Sequence, residues 1–294
     1  MLFNTMKIRT LSSLLCCALL LTLSCKTGDN ASSSSAPSKS IKELATKEYL
    51  FEFGEKKAVP QQDRVEDGAD STNIAVVVEI EAPQDKSVLS NRIREWINEH
   101  LSAFCGEFYS EDNADMQKVT DFYGNHLVAE LRSTIDGPPI YNGFREAQIT
   151  VKKIFENNKC VTFAISNNSY TGGAHGSYTY YGATFRKEDG RLFGHDIFNR
   201  SFDSNEKLRA LLQEGLIKYF EVEDVDELAE YTWDNVTAYR VELPQFGPWF
   251  TKEGLCFLYQ QYEIAAYVAG TPEVTIPYDK LDGILIPAAA ALLK

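Results

Sequence analysis

Several common devices are missing from this 294-residue chain. There is no CxxC pair and no cluster of cysteine with histidine, so the ligand spacing of a structural zinc site is absent. Only four histidines occur, and nothing in their spacing requires a metal. The GxSxG elbow of serine hydrolases, the HExxH zinc helix, the P-loop and the dinucleotide GxGxxG turn are all lacking. No metal and no cofactor is expected. Cationic charge is also scarce. The 29 Lys and Arg stand against 42 Asp and Glu, a net −13, which argues against nucleic acid or an anionic membrane face as a partner. The apolar run Leu11 to Leu23 falls short of the ~20 residues that span a bilayer.

That run follows Lys7 and Arg9 and ends at Ser24-Cys25. A positive start, an apolar middle and a small residue before cysteine read as a secretory signal over residues 1–24. Cys25 is then the expected lipidation site, anchoring the chain to a bacterial membrane, the outer one by preference. Residues 25–45 are a Ser-rich tether. Loss of residues 1–24 removes Lys7 and Arg9 and moves the net charge from −13 to −15. Cys105, Cys160 and Cys256 remain beside the lipid candidate. Three thiols allow at most one bridge, and their apolar neighbours suit buried free thiols equally well.

Tyr49, Phe51 and Phe53 alternate with Leu50 and Glu52, and Ile74, Val76, Val78 and Ile80 with Ala75, Val77, Glu79 and Glu81; both runs read as strands, with a loop from Ala58 to Thr72 between them. Ser87 is a candidate N-cap for a helix whose stripe is Leu89, Ile93, Trp96, Ile97, Leu101, Phe104 and Phe108. A second helix is expected from Ala114 to Ile135, stopped by Asp136-Gly137-Pro138-Pro139. Strands around Ala147–Val151, Val161–Ile165 and Tyr178–Phe185 follow, with turns at Glu156–Lys159 and Lys187–Gly190. Asp203 with Glu206 resembles a capping box for a helix through Leu208, Leu212, Leu216 and Tyr219. An acid-rich run, Glu221 to Glu230, comes next; then a buried strand over Leu255 to Tyr262 and a last helix through Leu281, Ile284 and Leu285. The fold class is α+β, an antiparallel β-meander packed with several amphipathic helices. A companion domain over 46–145 and a C-terminal domain over 146–294 are expected.

The stretch best suited to a binding site is Asn167-Asn168-Ser169-Tyr170-Thr171-Gly172-Gly173-Ala174-His175-Gly176, between two strand-like runs. Glycine accepts positive φ and lets a partner approach the backbone. Candidate ligand-binding residues are Tyr170, Thr171, Gly172, Gly173, His175, Tyr178, Tyr180 and Glu263. The tyrosines offer flat faces with one hydroxyl, and Glu263 sits in an apolar run, where an acid needs a partner. A turn whose histidine bonds a neighbouring strand is the bland alternative. His195-Asp196 are sequence neighbours and cannot face each other on a strand.

These residues resemble a family. Ser169 to Gly176, followed by Ala183-Thr184-Phe185, Asp189-Gly190-Arg191-Leu192 and Asp196-Ile197-Phe198, is similar to the C-terminal domain of RsiV-like proteins. Trp249 to Leu255, Tyr262-Glu263-Ile264-Ala265, Gly270 and Ile276-Pro277-Tyr278 fit the same pattern, and Ile74 to Leu101 resembles the companion domain. The resemblance implies an α+β extracytoplasmic fold that binds a lysozyme-like protein or a cell-wall glycan. The sigma-binding segment and the deacetylase module found in such proteins have no counterpart here. The expectation is a non-catalytic envelope lipoprotein that binds through the glycine-loop face. Two alternatives stay open: a glycan- or peptide-processing hydrolase using His175 with Glu263 or Asp196, and a structural component of an outer-membrane complex.

Overall fold

The computed structural model describes residues 43–58, 71–134, 144–233 and 236–293. The signal segment, Cys25, most of the tether, Ile135 and the Asp136–Pro139 stop lie outside these residues. β1 (Thr46–Ala58) and β2 (Ser71–Pro83) pair antiparallel, with Phe51 opposite Val78 and Phe53 opposite Val76. On β2 the alternate residues Ile74, Val76, Val78, Ile80 and Ala82 are all buried, the period of a strand covered on one face. Two helices follow, α1 (Val88–Cys105) and α2 (Met116–Ser133). They carry the chain across the sheet to β3 (Phe144–Glu156), which lies parallel to β2. The remainder is an antiparallel meander: β4 (Cys160–Tyr170), β5 (Ser177–Arg186) and the two-residue β6 (Leu192–Phe193). Sheet order therefore follows chain order.

α1 starts where its sequence says it should. The Ser87 hydroxyl accepts from Ser90 N, meeting one of the free N–H groups of the first turn. It stops one turn early, at Gly106 with φ 71°, so Phe108 lies beyond the helix and is 54% exposed. The stripe that packs on the sheet ends at Phe104. α2 begins at an Asp115 cap, and Gly124 admits the ring of Phe51, which would lie 2.2 Å from any added Cβ.

The second half departs further from sequence periodicity. α3 (Glu206–Phe220) is capped by Asn205, which accepts from Leu208 N. Asp203 sits instead in a 3₁₀ turn and pairs with Arg240 at 2.9 Å. Short helices α4 (Val225–Tyr231) and α5 (Val236–Tyr239) precede a three-stranded sheet of β7 (Trp249–Phe250), β8 (Leu255–Leu258) and β9 (Glu273–Ile276). The strand expected to reach Tyr262 stops at Leu258 because the chain turns there to pack on β5. The expected last helix is a 3₁₀ turn over Tyr278–Leu281, and only Pro287–Ala290 (α6) is α-helical. Gly283, at φ 73°, breaks the path between them.

Residues 41–294 form one compact unit, and β3 runs across the 145/146 boundary. The described residues form two cores. One lies between α1, α2 and the six-stranded sheet. The other gathers Leu208, Leu212, Leu216, Phe257, Ile264 and Ile276. β7 joins them, with Trp249 in the first and Phe250 in the second. Cys105, Cys160 and Cys256 are free and buried. Burial pushes the Cys105 and Cys160 thiols up to about 12 and raises Cys256 further, so all three stay protonated.

A charged knot ties the chain's entry to this unit. The Glu156 carboxylate accepts from Leu44 N at 2.7 Å, from Lys153 Nζ at 2.8 Å and from Lys187 Nζ. Burial by itself pushes Glu156 up, but these donors outweigh it and hold its carboxyl below the usual range. The sign follows from that: stabilisation is full above the ordinary glutamate pKa and is lost as pH falls through the lowered one. Glu156→Gln leaves Lys153 and Lys187 short of an acceptor and should cost about 2 kcal/mol at neutral pH. Urea titrations at neutral pH and at a pH below the lowered Glu156 value should show the wild type and variant converging in acid.

Candidate functional site: the glycine loop and its aromatic strip

The glycine stretch is the connector of the β4–β5 hairpin, closing on the Ser169–Ser177 pair. Gly172 and Gly173 have φ of 98° and 106°, a region that side chains disfavour. The two differ in their surroundings. A Cβ on Gly172 would meet the Arg145 guanidinium at 2.9 Å, whereas none would touch Gly173. Arg145 reaches the loop from β3 and is buried, and burial draws its pKa down. Gly172→Ala should therefore cost about 2–3 kcal/mol in urea unfolding, strain and clash together, while Gly173→Ala should cost about 1 kcal/mol from strain alone.

His175 stands on the solvent side of this loop. Its Nδ1 lies 2.9 Å from the Gly176 carbonyl oxygen and its Nε2 3.0 Å from the Tyr262 hydroxyl. A carbonyl only accepts, so Nδ1 carries the proton and, in the neutral ring, Nε2 accepts from Tyr262. The imidazole stacks on Tyr267, centroids 3.8 Å apart and planes at 21°. Tyr170 donates to the Gly173 oxygen at 2.9 Å and folds back over the loop.

The rings on the other side come from the segment after β8. Gln260 and Gln261 use side-chain amides as a substitute strand. Tyr178 N donates to Gln261 Oε1 at 3.0 Å and Tyr180 N to Gln260 Oε1 at 3.2 Å, and Gln260 Nε2 donates to the Tyr180 oxygen at 2.9 Å. Tyr262 then takes φ 64° and presents its ring, 54% exposed. Trp233 donates from Nε1 to the Tyr262 oxygen and pairs its N–H with Ile264. Tyr219 donates to the Ala269 oxygen at 2.8 Å, beside an 85%-exposed Val268. Trp233, Tyr262 and His175, all exposed, and the half-buried Tyr267 thus form one strip, held by two bonds to main-chain oxygens, one side-chain bond and one ring stack.

The eight sequence candidates divide between presentation and support. Tyr170, Thr171, Gly172, Gly173 and His175 lie on the loop. Tyr178 and Tyr180 are half-buried and parallel, 6.5 Å apart, with Tyr180 edge-on to Trp249. Glu263 accepts from Gln245 N and Gln260 N, both at 2.6 Å. Burial raises its pKa and those two N–H groups oppose the rise. It braces the 260–263 turn and does not bond the imidazole. Asp196 is in a 3₁₀ turn, not a strand, where it accepts from Arg191 at 2.7 Å and from Gly194 N at 3.1 Å. Its neighbour β6 pairs with the end of β5 remote from the loop. Neither acid pairs with His175, so the parts of a general acid–base couple are not assembled there. Trp233, Tyr267 and Arg145 carry no periodic signal in the sequence, and Tyr262 stands out there only as the end of the expected Leu255–Tyr262 strand and within the family pattern.

Comparison with known proteins places this architecture. The α+β fold is shared with a DUF3298 family protein from Pseudomonas aeruginosa PAO1, with a TM-score of 0.56, 16% identity, and 84% of this chain and 96% of that one covered. A DUF3298 family member from Bacteroides fragilis NCTC 9343 gives the same TM-score at 20% identity, covering 82% and 94% of the two chains. Residues 195–279 match the profile of a family described as a protein of unknown function, DUF3298. No functionally curated protein matches the chain. The matched stretch contains Trp233, Tyr262 and Tyr267 but not the glycine loop, so the strip spans both sides of its boundary.

Proposed function

We propose that this protein is a non-catalytic cell-envelope lipoprotein, anchored through Cys25, whose glycine-loop face binds a lysozyme-like protein or a peptidoglycan fragment. The observation that carries this reading is the Trp233–Tyr262–His175–Tyr267 strip, exposed at its first three residues and half-buried at Tyr267, yet fixed by hydrogen bonds and ring stacking. Rigid exposed aromatics give large contact area at low entropic cost. The RsiV-like pattern of the loop and of Tyr262–Ala265 points to the same class of ligand. A net charge of −13, or −15 once residues 1–24 are lost, favours encounter with a basic protein, an attraction that salt weakens.

Isothermal titration calorimetry with a purified lysozyme should give a dissociation constant of about micromolar order, weakening as salt is raised. A muropeptide mixture serves as the second titrant, since peptidoglycan fragments are the other ligand class of the resemblance. Absence of heat with both titrants removes the proposal.

A further inference from the structure

Two cavities of 350 and 300 Å³ lie along α1. Trp96 and Leu192 line both, so the two are halves of one groove between α1 and the β5–β6 edge. Together they fall within the range of small-molecule sites. One half is charged, with Arg92 paired to Glu95 at 2.9 Å and Glu99 at its mouth. The other half is lined by the rings of Trp96, His100, Tyr181 and Phe246. Tyr181 stacks on Phe246 at 3.9 Å, and His100 lies 4.8 Å from Trp96 and 5.2 Å from Tyr181.

Three polar atoms on these rings have no partner among the described residues: Trp96 Nε1, His100 Nε2 and the Tyr181 hydroxyl. None of them is among the polar atoms sealed from solvent, so each keeps a small solvent-accessible surface, and all three residues line the ring-bearing half of the groove. Their roles are set. His100 Nδ1 lies 2.7 Å from the Trp96 carbonyl oxygen and so carries the proton. Burial pulls the His100 pKa down and keeps the ring neutral. Its Nε2 is therefore an acceptor, Trp96 Nε1–H is a donor, and the Tyr181 hydroxyl is both.

A ligand that satisfies all three must donate and accept from the same small groups. A hydroxyl does this. An ammonium only donates, and would oppose the Trp96 N–H. A phosphate or carboxylate only accepts, so it leaves His100 Nε2 without a donor, and the two guanidinium groups on the lining, Arg92 and Arg191, are already paired with Glu95 and Asp196. Trp96 and Tyr181 are buried, and the half-buried rings of His100 and Phe246 supply the apolar surface against which the C–H face of a saturated ring can lie. We infer that the α1–β5 groove is a binding site for a neutral, hydroxyl-bearing sugar of one or two rings. It is separate from the aromatic strip and does not rest on the proposed protein partner.

The test uses the full chain. N-acetylglucosamine, its β-1,4-linked dimer and methyl β-glucoside are titrated by saturation-transfer NMR and tryptophan fluorescence, with choline and inorganic phosphate as counter-probes. At least one sugar should bind at or below about 10 mM. Tyr181→Phe deletes only the unpaired hydroxyl, so it should leave the urea midpoint in place and weaken the sugar about three- to tenfold. His100→Phe should weaken it similarly. The inference is overturned by no sugar binding at about 10 mM, or by choline or phosphate binding in place of the sugars. It is equally overturned by a sugar affinity that Tyr181→Phe and His100→Phe leave intact, or one that Tyr262→Ala abolishes while Tyr181→Phe does not change it.

Discussion

Trp249→Ala should lower the unfolding free energy by about 3–5 kcal/mol, the range for emptying a large aromatic site in a core. Trp249 is 2% exposed and lies at the joint between the two sheets. Its ring fills the space left by Gly182, where an added Cβ would fall 2.4 Å from it, and meets Tyr180 edge-on at 5.9 Å. Because Gly182 has no side chain to move inward, the cavity cannot collapse. The next residue, Phe250, donates its N–H to Thr184 Oγ1 at 2.9 Å and accepts from Thr162 Oγ1 at 2.8 Å. Those bonds keep β7 in place while the hole remains. Urea titration at constant m-value gives the number; a loss below about 1 kcal/mol would mean the joint repacks.

Tyr262→Ala and Tyr267→Ala should each weaken lysozyme binding by about 30-fold or more, as expected for aromatic anchors at an interface centre. Tyr267 supports the imidazole by stacking, and Tyr262 bonds its Nε2, so either loss also releases His175. Both rings are largely outside the cores, and the unfolding midpoint should hardly move. Calorimetry paired with urea unfolding separates the two effects. An affinity unchanged in both variants would take the binding face away from the strip while leaving the fold intact.

Where a signal repeats along the chain it could be read in advance. Ser87 and its stripe located α1, and the alternation from Ile74 to Ile80 located β2, because each pattern records one face turned to a core. Glu156–Lys159 gave away a hairpin, and the glycines of 172–173 an unusual backbone. Reading failed where two local solutions compete: Asp203 and Asn205 are both good caps, and packing of Leu208 chose the second. It failed also at Tyr278–Leu281, too short for a period to separate a 3₁₀ turn from a helix.

From its sequence alone the chain was legible as α+β, acidic and built around a glycine loop bearing one histidine, since those properties live in composition and in neighbours a few residues apart. The tertiary structure alone decided what faces that histidine. Tyr262 is 87 residues away from His175 and arrives only because Gln260 and Gln261 bond the open edge of β5. Contacts of that reach are set by how two cores pack across β7, and no window of sequence contains both partners.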